Sequence, residues 1–322
     1  MGMKIFLAGA TGALGRQLVP QLVARGHDVV GMTRGAAKQD LVRSLGARPV
    51  VADALDADAV AQAVAAAEPE VIVHQLTALS GPMGMRDARH PDRSEAARMT
   101  NRLRTEATDH LLAAGRTVGA RRVVAQSFGA FRFARAGGPV LTEAEPLDPA
   151  PPASMRTVQE AYAYLEQAVT TIDWGEGLAL RYGGFYGPGT GLSRAPDAVM
   201  AAAIRKRRLP VIGDGGGVWS HLHIEDAAAA TVLAIERGAP GVYNIADDEP
   251  VRVGEWLPVV ASALEAQPPR RVPSWLARLA AGEMATVMMT KVRGASNAKA
   301  KRELGWQPRY ASWRQGLARG LG

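Results

Sequence analysis

The chain has 322 residues, of which 47% are hydrophobic and 21% are charged, so it is long enough and apolar enough to bury a sizeable core. It contains no cysteine, which excludes disulfides, thiolate metal sites and cysteine nucleophiles. No apolar run approaches the roughly 18 residues that span a bilayer. The apolar start at 5–8 runs into Gly9 and is too short for a secretory signal. We therefore predict a soluble, cytoplasmic protein that holds no metal and does not enter a membrane.

The formal net charge of +7 admits anionic partners, and the densest basic cluster is Arg205-Lys206-Arg207-Arg208. This cluster follows an Ala-rich helical run and precedes Pro210, which is typical of a solvated helix C-terminus, where cations suit the helix dipole. No helix-turn-helix or zinc-finger pattern accompanies it. The charge therefore predicts no nucleic-acid partner, and we expect a small-molecule substrate instead.

In chain order, short apolar runs alternate with Ala-rich helical segments. Strands are predicted at 4–8, 28–32, 49–51, 71–75, 123–126 and 178–181. Helices are predicted at 14–25, 56–67, 93–118 and 157–171. This alternation is typical of βαβ units and predicts an α/β fold with a doubly wound parallel sheet of the Rossmann type.

Beyond residue 181 the alternation weakens, because residues 183–191 and 213–217 are rich in glycine and residues 267–273 are rich in proline. Smaller elements packed at the carboxyl edge of the sheet are expected there. We predict a dinucleotide-binding Rossmann domain from residues 1–180 plus about 222–245. A smaller α+β substrate-binding lobe is predicted from about 181–221 and from 246–322.

The most specific motif is the GxxGxxG turn that starts at Gly9, between the first predicted strand and the first predicted helix. Gly9 permits the tight turn, Gly12 lets the backbone approach a pyrophosphate, and Gly15 lets the helix pack against the strand. The free N–H groups and the positive dipole end of the helix then face the phosphates. The turn predicts a dinucleotide cofactor, contacted by Gly9, Thr11, Gly12, Ala13, Leu14 and Gly15.

The end of the second strand distinguishes the two dinucleotides, because NAD-binding proteins usually carry Asp or Glu there for the ribose 2′-OH. Here the segment reads Met32-Thr33-Arg34, without a carboxylate, and a guanidinium suits bidentate contact with a 2′-phosphate. NADP(H) is therefore predicted in preference to NAD(H), with Arg34 on the phosphate. Asp53 and Ala54 follow the third strand, where the Asp53 carboxylate is positioned to accept the adenine amino group.

Several further motifs resemble the extended short-chain dehydrogenase/reductase family, which includes nucleotide-sugar epimerases, dehydratases and reductases. In chain order they are GATGALG from Gly9, RYGGFYGPG from Arg181, GDG from Gly213, HLHIED from His221, YNI from Tyr243 and LGWQP from Leu304. Together they cover nearly the whole chain, so the resemblance implies the fold of that family throughout.

The resemblance also implies ligand contacts outside the glycine turn. His74 begins the segment HQLTA, which is similar to the family's segment behind the nicotinamide and implies cofactor contacts from Leu76, Thr77 and Ala78. A further cofactor contact is implied for Tyr182. Substrate contacts are implied for Tyr164, Phe185 and Tyr186.

The family's chemistry uses a Ser or Thr, a Tyr that exchanges a proton with the substrate oxygen, and a Lys four residues after the Tyr. Ser127, at the end of a strand, matches the first of these. No YxxxK occurs in the predicted helix 157–171, and aligning this helix on Glu166 puts Val158 at the Tyr position and Tyr162 at the Lys position. In a shifted register Tyr162 is the acid and Glu166 replaces the Lys. We predict an atypical family member with Ser127 and Tyr162 as its catalytic candidates.

Three functions remain open. The first is an NADPH-dependent reductase of a small ketone, imine or enone with a non-standard proton donor, Tyr162 or water, because hydride transfer itself needs only a positioned nicotinamide. The second is a nucleotide-sugar epimerase or dehydratase, which fold analogy supports and the missing Tyr/Lys pair opposes. The third is a non-catalytic NADP(H)-binding sensor. Ser127 and the complete C-terminal lobe favour the reductase. A homodimer is one possible oligomeric state of this protein.

Overall fold

The computed structural model describes residues 2–79, 92, 94–129 and 132–322. Its strands, in chain order, are β1 Lys4–Ala8, β2 Asp28–Thr33, β3 Arg48–Val51, β4 Val71–His74, β5 Arg122–Phe128, β6 Val140–Leu141, β7 Glu176–Tyr182, β8 Gly184–Tyr186, β9 Val211–Ile212, β10 Val218–Trp219, β11 His221–His223, β12 Gly241–Ile245, β13 Val251–Arg252, β14 Arg271–Val272 and β15 Gly294–Ala295.

The α-helices, in chain order, are α1 Ala13–Ala24, α2 Gln39–Ser44, α3 Ala57–Ala67, α4 Glu95–Arg104, α5 Glu106–Val118, α6 Arg156–Thr170, α7 Val199–Arg205, α8 Ile224–Arg237, α9 Val253–Ala263, α10 Ser274–Thr290, α11 Ala298–Leu304 and α12 Trp313–Arg319. Among the described residues, no helix is both long enough and apolar enough to cross a membrane.

Seven strands form one parallel sheet in the order β3-β2-β1-β4-β5-β7-β12. The chain order reverses between β1 and β4. This is the switch point at which open α/β sheets bind ligands, outside the carboxyl ends of their strands. The predicted α/β fold with a doubly wound parallel sheet of the Rossmann type is confirmed.

Both faces of the sheet are covered by helices, which explains why its strands read as continuous apolar runs. One face packs on α1 and α8 through a core that includes Leu18 and Ile235. The other face packs on α3, α5 and α6 through a core that includes Val64, Leu111 and Leu165. Burying each of these side chains contributes roughly 1.5–3 kcal/mol, so the two cores hold the carboxyl edge of the sheet rigidly.

Most predicted elements end within about two residues of the observed ones, α2 and β12 are not among the predicted elements, and two further differences bear on the candidate site. The helix predicted at 93–118 is two helices, α4 and α5, with Thr105 between them at φ −103° and ψ −79°. The Thr105 hydroxyl donates to the Asn101 carbonyl oxygen at 3.1 Å, a contact that bends helices. Arg93, the predicted start, lies outside the described residues. The strand predicted at 123–126 runs on to Phe128, so that Ser127 lies within β5 rather than after it.

A third hydrophobic core lies in the C-terminal part of the chain, formed by α7, α9, α10 and α12. Trp256 and Trp313 are its largest fully buried side chains. The short strand pairs β9/β14 and β10/β13 add to it. Across from the start of α6, Met284 and Met288 of α10 line a narrow cavity with Met155 and Gln159, so this core borders the helix that carries Tyr162.

Candidate functional site

Two glycines of the β1–α1 turn are required by the fold itself. Gly9 has a φ of 101°, in the left-handed region, and a Cβ there would lie 2.7 Å from the Gln75 carbonyl oxygen. A Cβ at Gly15 would lie 2.3 Å from the Gly9 carbonyl oxygen, because α1 begins directly against β1. Glycine is the residue that both positions accept without strain.

Gly12 differs, because the fold leaves room for a side chain there. It is exposed, and its φ of −72° and ψ of 172° are ordinary extended values. A Cβ would meet only the Gly9 carbonyl oxygen, at 3.4 Å. Gly12 is the N-cap of α1, and no side chain caps this helix end, so the N–H groups of the first turn lack intrahelical acceptors. The turn is an uncapped helix end that can accept an anion, and the fold leaves space for one beside Gly12.

Thr11, Ala13 and Leu14, the other predicted contacts of this turn, lie at the same helix end. Arg34 follows β2, next to β1 in the sheet. It is exposed and has no hydrogen-bond or ion-pair partner within the described part of the chain. Its guanidinium is therefore available to a ligand that extends from the turn across the end of β2.

The remaining predicted cofactor residues outside the core follow β3 and β4. Asp53 is exposed, and its carboxylate accepts the Leu55 N–H at 3.0 Å, while Ala54 is buried. After β4, Thr77 is exposed between half-buried Leu76 and Ala78. Since β3, β2, β1 and β4 are neighbours in the sheet, these residues and the glycine turn lie along one edge. A single extended ligand lying on that edge can contact them all.

Tyr182, also predicted to contact the cofactor, lies in the core below this edge. Its side chain is fully buried. Its hydroxyl accepts a hydrogen bond from Gln75 Nε2 at 3.4 Å and lies 2.7 Å from the Thr231 hydroxyl. Burial raises the pKa of Tyr182 well above its usual range. The hydroxyl therefore joins β7 to Gln75 and to α8.

His74, at the end of β4, supports the segment that follows it. Its Nδ1 accepts the Leu76 N–H at 3.2 Å, and its Nε2 lies 3.0 Å from the Leu103 carbonyl oxygen. These contacts fit a neutral ring that carries its proton on Nε2. Burial lowers the pKa of His74 to about 4, so the ring is neutral at pH 7 and positions the backbone of Leu76.

The three residues predicted to contact substrate lie in different surroundings. The half-buried ring of Phe185 lies 5.3 Å from that of Tyr182. Tyr186 is 1% exposed, and its hydroxyl has no hydrogen-bond partner among the residues that the structure describes. Tyr164 is 42% exposed, and its hydroxyl donates to Asp109 of α5 at 2.7 Å. Tyr164 is thus on the outer face of α6, apart from the catalytic candidates.

Val158, Tyr162 and Glu166 recur every four residues and share one face of α6. The Glu166 carboxylate accepts two hydrogen bonds from Arg181 of β7, from Nε at 2.9 Å and from Nη2 at 2.7 Å. This bidentate ion pair is buried, with both side chains less than a tenth exposed. It holds α6 to the sheet and fixes the direction in which Tyr162 points.

A buried polar cluster joins the two catalytic candidates. The Ser127 hydroxyl donates to Glu166 Oε1 at 2.5 Å, and Arg132 Nη1 donates to both, at 2.9 Å and 2.5 Å. The Tyr162 hydroxyl accepts a hydrogen bond from Arg104 Nη2 at 2.5 Å. The guanidinium carbon of Arg132 lies 4.8 Å from the centre of the Tyr162 ring. We call these residues and Arg181 the arginine cluster.

The arginine cluster carries surplus positive charge, since it holds three guanidinium groups and one carboxylate, that of Glu166, which pairs with Arg132 and Arg181. Burial alone would raise the pKa of Glu166, but hydrogen bonds from Arg181 and the charges of Arg132 and Arg181 outweigh it and hold the pKa at about 2. Burial lowers the pKa of Arg104 and of Arg132. Among the described residues, Arg104 has no carboxylate partner. The cluster can therefore accept a further anion.

Arg132 is absent from the residues that the sequence predicts for the site. Its signal is local, because it is the one charge in the apolar segment SFGAFRF at 127–133, directly after a buried strand. A charged side chain in such a segment indicates a buried, paired position. The pattern does not say which partner it finds, since Glu166 lies in another element.

Residues 5–246 match the model of the NAD dependent epimerase/dehydratase family, so the chain belongs to that family. It is similar to the 3-diazoavenalumate denitrifying reductase of a Streptomyces species, at 47% identity over 322 residues, covering 98% of this chain and 100% of the relative. It is also similar to the 2-alkyl-3-oxoalkanoate reductase of Stenotrophomonas maltophilia, at 28% identity, covering 82% and 76% of the two chains.

Among solved structures, the chain resembles a dTDP-glucose 4,6-dehydratase of Streptomyces venezuelae, with a TM-score of 0.75 and 21% identity over 99% of this chain and 96% of that one. This likeness shows a shared fold. The predicted resemblance to extended short-chain dehydrogenases/reductases and the predicted enzyme class are confirmed. The chain is an oxidoreductase of that family, whose members use NAD(H) or NADP(H), and its relatives act on small molecules.

Proposed function

We propose that this protein is an NADPH-dependent reductase that delivers hydride to an aromatic diazo carboxylate and releases dinitrogen. One observation carries the proposal. No YxxxK occurs in α6, the helix in which the family resemblance expects that pair, and no lysine occurs between Lys38 and Lys206. The pair that donates a proton in carbonyl reduction is therefore missing. A reduction that consumes no proton does not need that pair.

The relative at 47% identity supports this substrate class, because its name describes a reductase that removes nitrogen from a diazo carboxylate. The similarity extends over 98% of this chain and includes the C-terminal part that borders α6. The two proteins can therefore be compared along nearly their whole length.

The proposed reaction balances without an acid. The electron pair of the hydride forms the new C–H bond at the carbon that bears the diazonium nitrogen. The C–N bond breaks, and its electron pair leaves with N2. A cationic diazonium group and a hydride thus give a neutral arene and dinitrogen, with no proton taken up or released. Reduction of a ketone differs, since the oxygen that receives the electron pair must be protonated.

The residues at the carboxyl edge of the sheet fit NADPH, which supplies hydride when bound. The helix end beside Gly12 has room and free N–H groups for the pyrophosphate. Arg34 is exposed for bidentate contact with the 2′-phosphate, and Asp53 is exposed beside β3 for the adenine amino group. The half-buried segment after β4 would back the nicotinamide.

Ketone reduction is the second candidate, favoured by the relative named 2-alkyl-3-oxoalkanoate reductase. In that reaction Tyr162 would donate the proton. Its hydroxyl oxygen accepts a hydrogen bond from Arg104, which leaves its own hydrogen to be donated. The two candidates therefore differ in what they require of Tyr162.

The experiment that tests the proposal follows NADPH oxidation and N2 release with 3-diazoavenalumate, a 2-alkyl-3-oxoalkanoate and UDP-glucose as separate substrates. We expect one equivalent of N2 for each NADPH oxidised with the diazo compound. The Tyr162→Phe variant should keep that rate within about threefold, whereas ketone reduction through Tyr162 would fall by roughly 10²–10⁴. Tyr243→Phe is the matched control, since the Tyr243 hydroxyl donates to the Ala239 carbonyl oxygen and interacts with Glu303, neither of which belongs to the arginine cluster. Activity confined to the ketone or the nucleotide sugar contradicts the proposal.

A further inference from the structure

We propose that the Nε–Nη2 edge of Arg132, supported by the other guanidinium groups of the arginine cluster, binds the carboxylate of the substrate. The identity of that substrate rests on the proposed function, but the anion site itself rests on the geometry of the cluster. This site lies apart from the predicted cofactor contacts and gives the enzyme a means of selecting a charged substrate.

The free edge of Arg132 has the geometry that a carboxylate requires. Arg132 is 2% exposed, and the hydrogen bonds that it makes to described residues all come from Nη1. Within the described part of the chain, Nε and Nη2 have no hydrogen-bond partner. These two nitrogens lie on one edge of the planar guanidinium and direct their N–H groups the same way. Arg181 shows what this edge accepts, because its own Nε and Nη2 hold both oxygens of Glu166.

The surrounding charges favour an anion at this edge. Buried donors of a charged group are costly to leave unpaired, and native structures rarely keep them so. Glu166 is already shared by Arg132, Arg181 and the Ser127 hydroxyl. Arg104 contributes a third positive group, stacked on the Tyr162 ring at 3.5 Å from its centre. A substrate carboxylate would supply the second negative charge that the cluster lacks.

The position of the cluster suits a substrate that is reduced at the carboxyl edge of the sheet. Ser127 lies near the end of β5, which pairs with β4 in the sheet. The segment that follows β4 is the predicted contact of the nicotinamide. Half-buried Phe128 stacks on Tyr162, with ring centres 6.1 Å apart and an interplanar angle of 21°. These rings offer an apolar wall beside the charged edge, as the body of an aromatic carboxylate requires.

The test uses trans-cinnamate and methyl trans-cinnamate as probes, titrated by calorimetry into the protein saturated with NADP+. We expect the wild type to bind the carboxylate at least about tenfold more tightly than the ester. Arg132→Gln should lose that preference, with the carboxylate weakened at least about tenfold and the ester unchanged. Arg132→Lys should recover part of the preference, because it restores the charge without the bidentate edge.

Arg121→Gln is the matched charge control, since Arg121 is 64% exposed and pairs with Glu70 at the amino end of β5. It should leave the dissociation constants of both probes unchanged. Equal affinity of the wild type for acid and ester overturns the inference, and this measurement needs no variant to fold. So does an Arg132→Gln variant that is folded, binds NADPH normally and still prefers the acid.

The same experiment separates this inference from the proposed function. If the preference for cinnamate depends on Arg132 but no diazo compound is reduced, the carboxylate site stands and the proposed reaction is wrong. If 3-diazoavenalumate and its methyl ester are reduced with equal KM, the reaction stands and the carboxylate site is wrong. If the protein neither prefers cinnamate over its ester nor reduces the diazo compound, both proposals are wrong, and Ser127 and the three arginines have a purely structural role.

Discussion

Replacement of Gly12 by valine should abolish dinucleotide binding without unfolding the protein. The stability effects nearly cancel. Valine is a poor N-cap, which costs about 1 kcal/mol, but replacing a glycine whose φ of −72° suits any residue stabilises the fold by about 0.4–1 kcal/mol through the unfolded chain. Since a Cβ there meets only the Gly9 carbonyl oxygen at 3.4 Å, we expect the free energy of unfolding to change by less than about 1 kcal/mol.

The effect of Gly12→Val on binding should be much larger. The branched side chain would stand over the first turn of α1, between its free N–H groups and any phosphate. A hydrogen bond to a charged group contributes roughly 1.5–3 kcal/mol, so losing two of them costs roughly 3–6 kcal/mol and raises the dissociation constant for NADPH at least about 100-fold. The lack of a side chain at Gly12 therefore contributes more to the free energy of cofactor binding than to the free energy of folding.

The assay pairs calorimetric titration of NADPH with urea unfolding of the same preparations. Gly138→Val is the matched control, because Gly138 is exposed and a Cβ there meets only the Val140 carbonyl oxygen at 3.8 Å. It should leave the dissociation constant for NADPH unchanged. Normal NADPH binding by folded Gly12→Val would refute the reasoning, since the cofactor would then lie elsewhere.

Three further predictions concern the carboxyl edge of the sheet and the arginine cluster. Arg34→Ala should remove most of an expected tenfold or greater preference for NADPH over NADH, and equal dissociation constants in the wild type would contradict the assignment. Gly15→Val should prevent folding, seen as lost cooperative unfolding, because its Cβ would lie 2.3 Å from the Gly9 carbonyl oxygen. Glu166→Gln should destabilise the protein by about 3–5 kcal/mol by leaving buried guanidinium groups unpaired. The pKa of Glu166 in the folded protein is about 2, below the usual 4.5. Its contribution to the free energy of unfolding of the wild type should therefore be complete above about pH 4.5 and lost as the pH falls toward 2. Urea unfolding of Glu166→Gln should not show this loss.

The sheet and the glycine turn could be predicted because their signals are local. Six of the seven sheet strands contain a short apolar run that predicts them, and Gly9 and Gly15 are required by contacts within one βα turn. The break at Thr105 could not be predicted from the sequence, because Thr117 makes the same hydroxyl-to-carbonyl contact within an unbroken helix. Local sequence therefore predicts the edge on which a ligand would lie more completely than it predicts the helices behind that edge.

The polar part of the candidate site depends on contacts between distant elements. Ser127 and Tyr162 meet in one cluster because Arg132, in a loop, reaches both β5 and α6. Nothing in the local sequence of Arg132 indicates Glu166 as its partner. Tyr164 points away from this cluster because it lies two residues from Tyr162 on a helix, and its contact with Asp109 depends on the packing of α5 against α6.

In the reaction that we propose, hydride passes from NADPH to a carbon that loses dinitrogen, and no proton donor takes part. The most direct measurement incubates the wild type with 3-diazoavenalumate and NADPH deuterated at C4, in ordinary water, and determines the isotope content of the product by mass spectrometry. We expect one deuterium at the carbon that carried nitrogen, and we expect it from only one of the two diastereomers of NADPH singly deuterated at C4. A product that contains only solvent hydrogen, or N2 release without NADPH oxidation, would contradict it.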